Sequence, residues 1–264
     1  NGERYYYRVQ AEYSGTNSQL TNEVNAITPV PSPTIDSLDA SVEDEITANY
    51  TPTDNSSDGD VTIERSTDGG SSWTTAATIT DLSQTAYTDT GLADGEEYTY
   101  RLVRSTDHES AQSGAASAIT IQPAPTTPST ANVTANSVDL SWTDNHDNGE
   151  TLVQYKPASS GSWTTFYTLS IGTEAETLTA LRNGEQYDTR VVASTEHTSS
   201  ASAATQFTTT LPDEDQPQLG NGVEDEVAID RENATTNYGD IRLQIRETGQ
   251  SSWDTNAMGF AEQT

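Results

Sequence analysis

Along most of the chain, apolar residues alternate with polar ones at a period of two. Val138, Leu140 and Trp142 are separated by Asp139 and Ser141, and Ile46, Ala48 and Tyr50 by Thr47 and Asn49. Tyr98, Tyr100 and Leu102 continue the pattern, matched further on by Tyr187, Thr189 and Val191. Successive side chains on a strand point to opposite faces, so each run predicts a strand with one buried face. Turn-forming clusters separate the runs: Ser57-Asp58-Gly59-Asp60, Asp68-Gly69-Gly70 and Asn148-Gly149. No window of eleven residues shows a helical period, so the chain reads as all-β.

The strands recur as a unit. Trp73, Trp163 and Trp253 are each 90 residues apart, and Ile63, Val153 and Leu243 stand ten residues before them. A second block appears as NGERYYYRVQAEY (1–13), DGEEYTYRLVRST (94–106) and NGEQYDTRVVAST (183–195). A third pairs SVEDEITANY (41–50) with GVEDEVAIDR (222–231). Three interleaved blocks at one period mark a tandem repeat. Proline-rich stretches at 29–33, 123–128 and 212–217 supply short, semi-rigid junctions.

The segments Leu92-Ala93-Asp94-Gly95-Glu96-Glu97-Tyr98 and Leu181-Arg182-Asn183-Gly184-Glu185-Gln186-Tyr187 resemble the L-x-x-G-x-x-Y corner of the fibronectin type III family. Trp142 stands where that family keeps a core Trp on strand B; Tyr50 replaces it in the preceding unit and Arg231 in the last. The resemblance implies immunoglobulin-like β-sandwiches in which the corner tyrosine hydroxyl bonds back to the backbone. It implies a layout of 1–28 as the last strands of one domain, 29–122 and 123–211 as complete domains, and 212–264 as the first half of another. Two strands are not stable alone in water, so the parent polypeptide is expected to continue in both directions. The resemblance says little about function.

Charge narrows the partners. The chain has 41 acidic residues against 11 basic ones, a formal net charge of −30, and Lys156 is its one lysine. With hydrophobic content at 31 %, such a balance often signals disorder, but the regular alternation argues for a folded protein adapted to molar salt. At about 1 M the Debye length is only about 3 Å, which screens the self-repulsion. A chain this acidic has no basic face for nucleic acid, and anionic membranes repel it. No apolar run reaches the roughly 18 residues that cross a bilayer, so no membrane insertion is expected in this segment. The absence of cysteine excludes disulfides and thiol chemistry.

Four features invite chemistry. Ser66-Thr67-Asp68-Gly69-Gly70-Ser71-Ser72-Trp73 looks like an Asp-box hairpin, a turn device rather than a catalytic one. The loops around Asp54, Asp58 and Asp60 and around Asp144 and Asp147 resemble the opening of a calcium loop, yet position 12, where the EF-hand has its bidentate Glu, is Arg65 or Tyr155. They read first as solvated turns and second as Ca²⁺ sites; no other cofactor is expected. His108 and His197, each following an acid, sit at equivalent predicted F–G hairpin tips and are candidate binding residues. Asn49, Asn55, Asn132 and Asn233 head glycosylation sequons.

No nucleophile and base recur together, so no catalysis is expected. The pattern suits a spacer and adhesion segment of an extracellular fibre or spike, first of all a tail or fibre protein of a haloarchaeal virus. A haloarchaeal cell-surface or S-layer-associated protein, and the accessory region of a secreted polysaccharide hydrolase, are the alternatives. Expected partners are other protein subunits of a fibre or virion, and a host surface glycan or protein.

Overall fold

The computed structural model describes residues 2–52 and 59–211, together with the backbone of two short strands further on. Asp54, Asn55, Asp58, Arg231, Asn233 and Trp253 lie outside the described residues, as does most of 212–264.

The first 28 residues contribute β1 (Arg4–Tyr7), β2 (Glu12–Tyr13), β3 (Thr16–Asn17) and β4 (Val24–Ile27), with β1 antiparallel to β4 and β2 to β3. Tyr5, Tyr6 and Tyr7 are 49 %, 58 % and 53 % exposed. The matching Tyr98 and Tyr100 of the next repeat are buried. Among the described residues no opposing sheet covers the face of this ribbon.

The next repeat supplies β5 (Thr34–Asp39), β6 (Glu45–Thr51), β7 (Asp60–Ser66), β8 (Thr74–Ile79), β9 (Ala86–Thr90), β10 (Glu97–Ser105), β11 (Ser110–Gln112) and β12 (Ala116–Ile119). They form two antiparallel sheets, β5-β6-β9 and β11-β10-β7-β8, with β12 also pairing β10. The following repeat copies them with β13 (Ser129–Ala131), β14 (Val138–Ser141), β15 (Glu150–Pro157), β16 (Thr164–Ser170), β17 (Ala175–Leu178), β18 (Gln186–Ser194), β19 (Ser199–Ala201) and β20 (Thr205–Thr208). Its sheets are β13-β14-β17 and β16-β15-β18-β19, with β20 on β18. Beyond these, β21 (Gln218–Leu219) pairs with β22 (Ile229–Asp230). Among the described residues there is no helix.

The period-2 reading picked the buried face correctly. Ile46, Ala48 and Tyr50 are at most 1 % exposed, and Val138, Leu140 and Trp142 at most 6 %. Tyr98, Tyr100, Leu102, Tyr187, Thr189 and Val191 face them from the opposing sheets, also buried. One core per sandwich results, Ile46–Leu102 in one and Val138–Phe207 in the other.

A detail the alternation does not show is the division of the last strand. Between β11 and β12 the Ser113 hydroxyl accepts the Leu102 N–H at 2.9 Å, and between β19 and β20 Ser202 does the same for Val191 at 3.1 Å. A serine side chain takes the place of a ladder carbonyl at the same point in both repeats, so the backbone steps aside without orphaning a donor.

Candidate functional site

The Asp-box segment closes the β7–β8 hairpin. Ser66 donates its hydroxyl to Asp68 Oδ1 at 2.6 Å and accepts the Gly70 N–H at 2.8 Å. Asp68 accepts the Ser72 N–H at 2.8 Å and its hydroxyl at 2.6 Å. Hydrogen bonds from Ser66 and then Ser72 hold its carboxyl well below the usual range. Gly70, at φ +90°, leaves room for the Trp73 ring. Both Asp68 carboxylate oxygens are engaged within the turn. Trp73 itself lies under the Arg101 guanidinium, 4.3 Å away, and Trp163 lies under Arg190 at 4.4 Å and Lys156 at 5.3 Å. Trp73 and Trp163 therefore pair with scarce cations on the outer sheet face.

Of the two acidic loops, the one around Asp144 is described throughout, and its aspartates take separate partners. Asp144 is buried against His146, Oδ1 to Nδ1 at 2.5 Å, and its Oδ2 accepts the Gly172 N–H. Thr151 stands 3.5 Å from His146 Nε2. Asp, His and Thr in line resemble a catalytic relay. Here the His146 side chain is 0 % and that of Asp144 2 % exposed, and Thr151 is fully buried, so no substrate reaches them. They brace the loop. Asp147 takes a different partner and accepts the Asp94 N–H. Asp60 offers its backbone carbonyl to the buried Arg104 guanidinium at 3.4 Å, which places a positive charge beside it.

His108 and His197 are exposed at the β10–β11 and β18–β19 tips. Each N–H donates to the hydroxyl of a threonine two residues back, Thr106 at 3.5 Å and Thr195 at 3.3 Å. Asn49 is half-buried in mid-strand, its amide donating to Ser37 at 3.1 Å. Asn132 is exposed at φ 46° and donates to Asp139 at 2.7 Å.

The densest chemistry lies where the two complete sandwiches meet, a place the repeat blocks bracket but do not reveal. The corner tyrosines form as the resemblance implies: Tyr98 OH accepts the Ala93 N–H and Tyr187 OH the Arg182 N–H, both at 3.0 Å. Tyr98 thereby holds Asp94 at the end of its sandwich. Asp94 and Asp147 then exchange reciprocal bonds across the joint: Asp94 N–H to Asp147 Oδ1 at 3.0 Å, and Asp147 N–H to Asp94 Oδ2 at 2.9 Å. Asn148 donates to the Asp94 carbonyl at 3.0 Å, and Thr195 to the Gly95 carbonyl at 2.7 Å. Gly95, at φ +59°, is required: a Cβ there would stand 2.1 Å from Gln122 Oε1 and 2.9 Å from Thr195.

On the other side of Asp94 are Glu43 and Asp44 from the β5–β6 turn. Asp44 is anchored there by accepting the Leu92 N–H on its carbonyl at 3.1 Å. Carboxylate oxygens of Glu43, Asp44 and Asp94 all lie within 4.8 Å of one another. Burial pushes the Asp94 carboxyl up to about 7; the Asp147 N–H bond opposes this, and the Asp147 and Asp44 charges add to it.

In comparisons with known proteins, a two-domain fibronectin type III segment of chicken tenascin matches with TM-score 0.53 at 18 % identity, over 68 % of this chain and 99 % of that one. A fibronectin-domain segment of chicken contactin aligns at 15 % identity over 78 % of this chain and 76 % of that one, with TM-score 0.33. No protein-family model and no curated protein matches the chain. The fold is that of tandem fibronectin type III sandwiches.

Proposed function

We propose that the chain is a spacer and adhesion segment of an extracellular fibre, without catalytic activity of its own, and that its setting is the tail or fibre apparatus of a haloarchaeal virus. Tandem fibronectin-like sandwiches fit a structural or adhesion spacer role. The observation that carries the reading is a joint used twice. Thr195 donates to the Gly95 carbonyl at 2.7 Å, and one repeat earlier Thr106 donates to the Gly2 carbonyl at 3.4 Å. Gly2 and Gly95 open the same sequence block, and Thr106 and Thr195 close it. The corner of one unit therefore meets the hairpin tip of the next by one repeated contact. A repeated head-to-tail contact that does not close on itself propagates an array lengthwise. The setting rests on composition: a net charge of −30 with one lysine suits molar salt, where carboxylates keep a surface hydrated. Its partners in this reading are other subunits of the fibre and a host surface glycan or protein, reached by side chains near the tips such as His108 and His197.

Small-angle scattering in molar KCl tests the spacer reading. The full chain is expected to scatter as an elongated particle with one dominant joint geometry. Gly95→Val, which drives a branched side chain into Gln122 and Thr195, should broaden that distribution while both sandwiches stay folded. Scattering that already matches freely jointed beads, or that Gly95→Val leaves unchanged, would sink the idea of a stiff spacer.

A further inference from the structure

The joint carries more negative charge than its hydrogen bonds account for. Asp94 is 2 % exposed, and its Oδ1 has no hydrogen-bond partner. Its Oδ2 is taken by the Asp147 N–H, so Oδ1 is the oxygen left over. Glu43 and Asp44 each bring a carboxylate oxygen within 4.8 Å of an Asp94 carboxylate oxygen and of each other. Carboxylates have no hydrogen to donate, so they do not satisfy one another; a proton or a cation is needed. A second buried polar side chain at the same corner is also unpartnered: Gln122 is 7 % exposed, neither amide atom is bonded, and its Oε1 faces Gly95.

From this geometry we infer that Glu43, Asp44 and Asp94 bind one divalent cation of the calcium class at the joint between the two complete sandwiches, with Asp147 as the positioning residue that holds Asp94 from the neighbouring unit. Calcium accepts six to eight oxygen ligands at about 2.3–2.6 Å, so two oxygens on one ion lie at most about 5 Å apart. The observed separations fit that limit. All three ligands are hard carboxylate oxygens, and one is exposed, which leaves an entry path and room for water to complete the shell. Magnesium, which demands a near-ideal octahedron at about 2.0–2.1 Å, fits such a loose trio less well. Because Asp94 also bonds across the joint, filling the site stiffens the connection between units.

The next repeat provides an internal control. The positions of Glu43, Asp44 and Asp94 are there Ala135, Asn136 and Asn183. The Asn136 carbonyl accepts the Leu181 N–H at 3.0 Å, as the Asp44 carbonyl accepts that of Leu92, so the anchoring bond survives without the charge. Substitutions that copy this repeat are therefore compatible with the fold.

The experiment is calorimetric titration of the full chain with CaCl₂ in molar KCl, comparing wild type, Asp94→Asn and the double variant Glu43→Ala/Asp44→Asn. We expect wild type to bind one more equivalent than either variant, with a dissociation constant of about 10⁻⁴–10⁻³ M, the range of extracellular calcium modules. Amide resonances of Asp94 and Asp147 should shift together as that equivalent binds. The double variant keeps Asp94 in place and guards against a purely structural effect of its loss. Equal stoichiometry in all three proteins would overturn the site, assigning any bound calcium elsewhere. No binding up to about 10 mM, ten times the weak end of that range, would overturn it too and leave Asp94 as a proton site.

Discussion

The two complete sandwiches share their strand order, aromatic corner and divided last strand, yet they fill one region of the interior with opposite chemistry. In the first, Asp89 is 6 % exposed and accepts both Arg65 Nη1 and the Tyr100 hydroxyl at 2.9 Å. Burial, then the Asp89 charge, pushes the Tyr100 hydroxyl well above its usual range. In the second, register places Tyr155, Leu178 and Thr189 at the same three points. Leu178 is fully buried, and Tyr155 packs its ring against Phe166 at 5.3 Å and Tyr187 at 5.9 Å. One backbone thus tolerates either a satisfied ion network or an apolar cluster, but the two fail differently. An apolar cluster loses energy in proportion to the volume removed. An ion network collapses when any member leaves, because the others stay buried without partners.

The largest expected effect follows from that difference. Asp89→Ala should destabilise the first sandwich by about 3–5 kcal/mol, since Arg65 and Tyr100 lose their common acceptor. The triple change Arg65→Tyr, Asp89→Leu, Tyr100→Thr, which copies the second sandwich, should recover most of the loss. Denaturant unfolding of the first sandwich checks both, and a triple variant no better than Asp89→Ala would break the equivalence of the two interiors. In the second sandwich, Leu178→Ala should cost about 2–5 kcal/mol with no such rescue route.

Salt should separate the sandwiches next. The thirty excess negative charges repel across about 30 Å at 0.01 M but only about 3 Å at 1 M. The first sandwich concentrates Glu43, Asp44 and Asp94 at one end, where the second is neutral. Melting midpoints should rise with salt, and hydrogen exchange at low salt should open the first sandwich before the second. A midpoint flat from about 0.05 M to about 2 M would remove the case for adaptation to brine.

The corner tyrosines should behave alike. Tyr98→Phe and Tyr187→Phe each remove one 3.0 Å bond to a backbone N–H, and each should cost about 1 kcal/mol. Unequal costs would show that the joint, where the Tyr98 corner meets Asp147, draws on that bond.

Acid gives the smallest effect. Hydrogen bonds from Gln206 and then Lys156 hold the Asp188 carboxyl below its ordinary range. Its folded value is depressed, so its contribution is present above the unfolded value near pH 4, about 3.9, and fades as pH falls through the lower folded one. Asp188→Asn should therefore lower stability near neutrality and converge with wild type in strong acid. The first sandwich has Thr99 at that position and should show no matching change.

Strand identity, burial face and repeat period were legible in the sequence because a half-buried strand must alternate, as Ile46, Ala48 and Tyr50 and then Val138, Leu140 and Trp142 do. The corner was legible too, since it is a short contiguous motif. The joint was not. Glu43, Asp44, Asp94 and Asp147 are scattered over about a hundred residues, and nothing local to any of them marks the others. In the sequence Asp147 belongs to its own loop, because loop spacing is all a sequence offers; the neighbouring sandwich, not the loop, decides where its carboxylate goes. Of the three histidines, His146 is the buried one, and no local pattern in the sequence sets it apart from His108 and His197. By itself, then, the sequence determined which residues face inward and how often the unit repeats, because those depend on backbone period. Only the tertiary structure decided which distant carboxylates meet, because that depends on how one folded unit is set against the next.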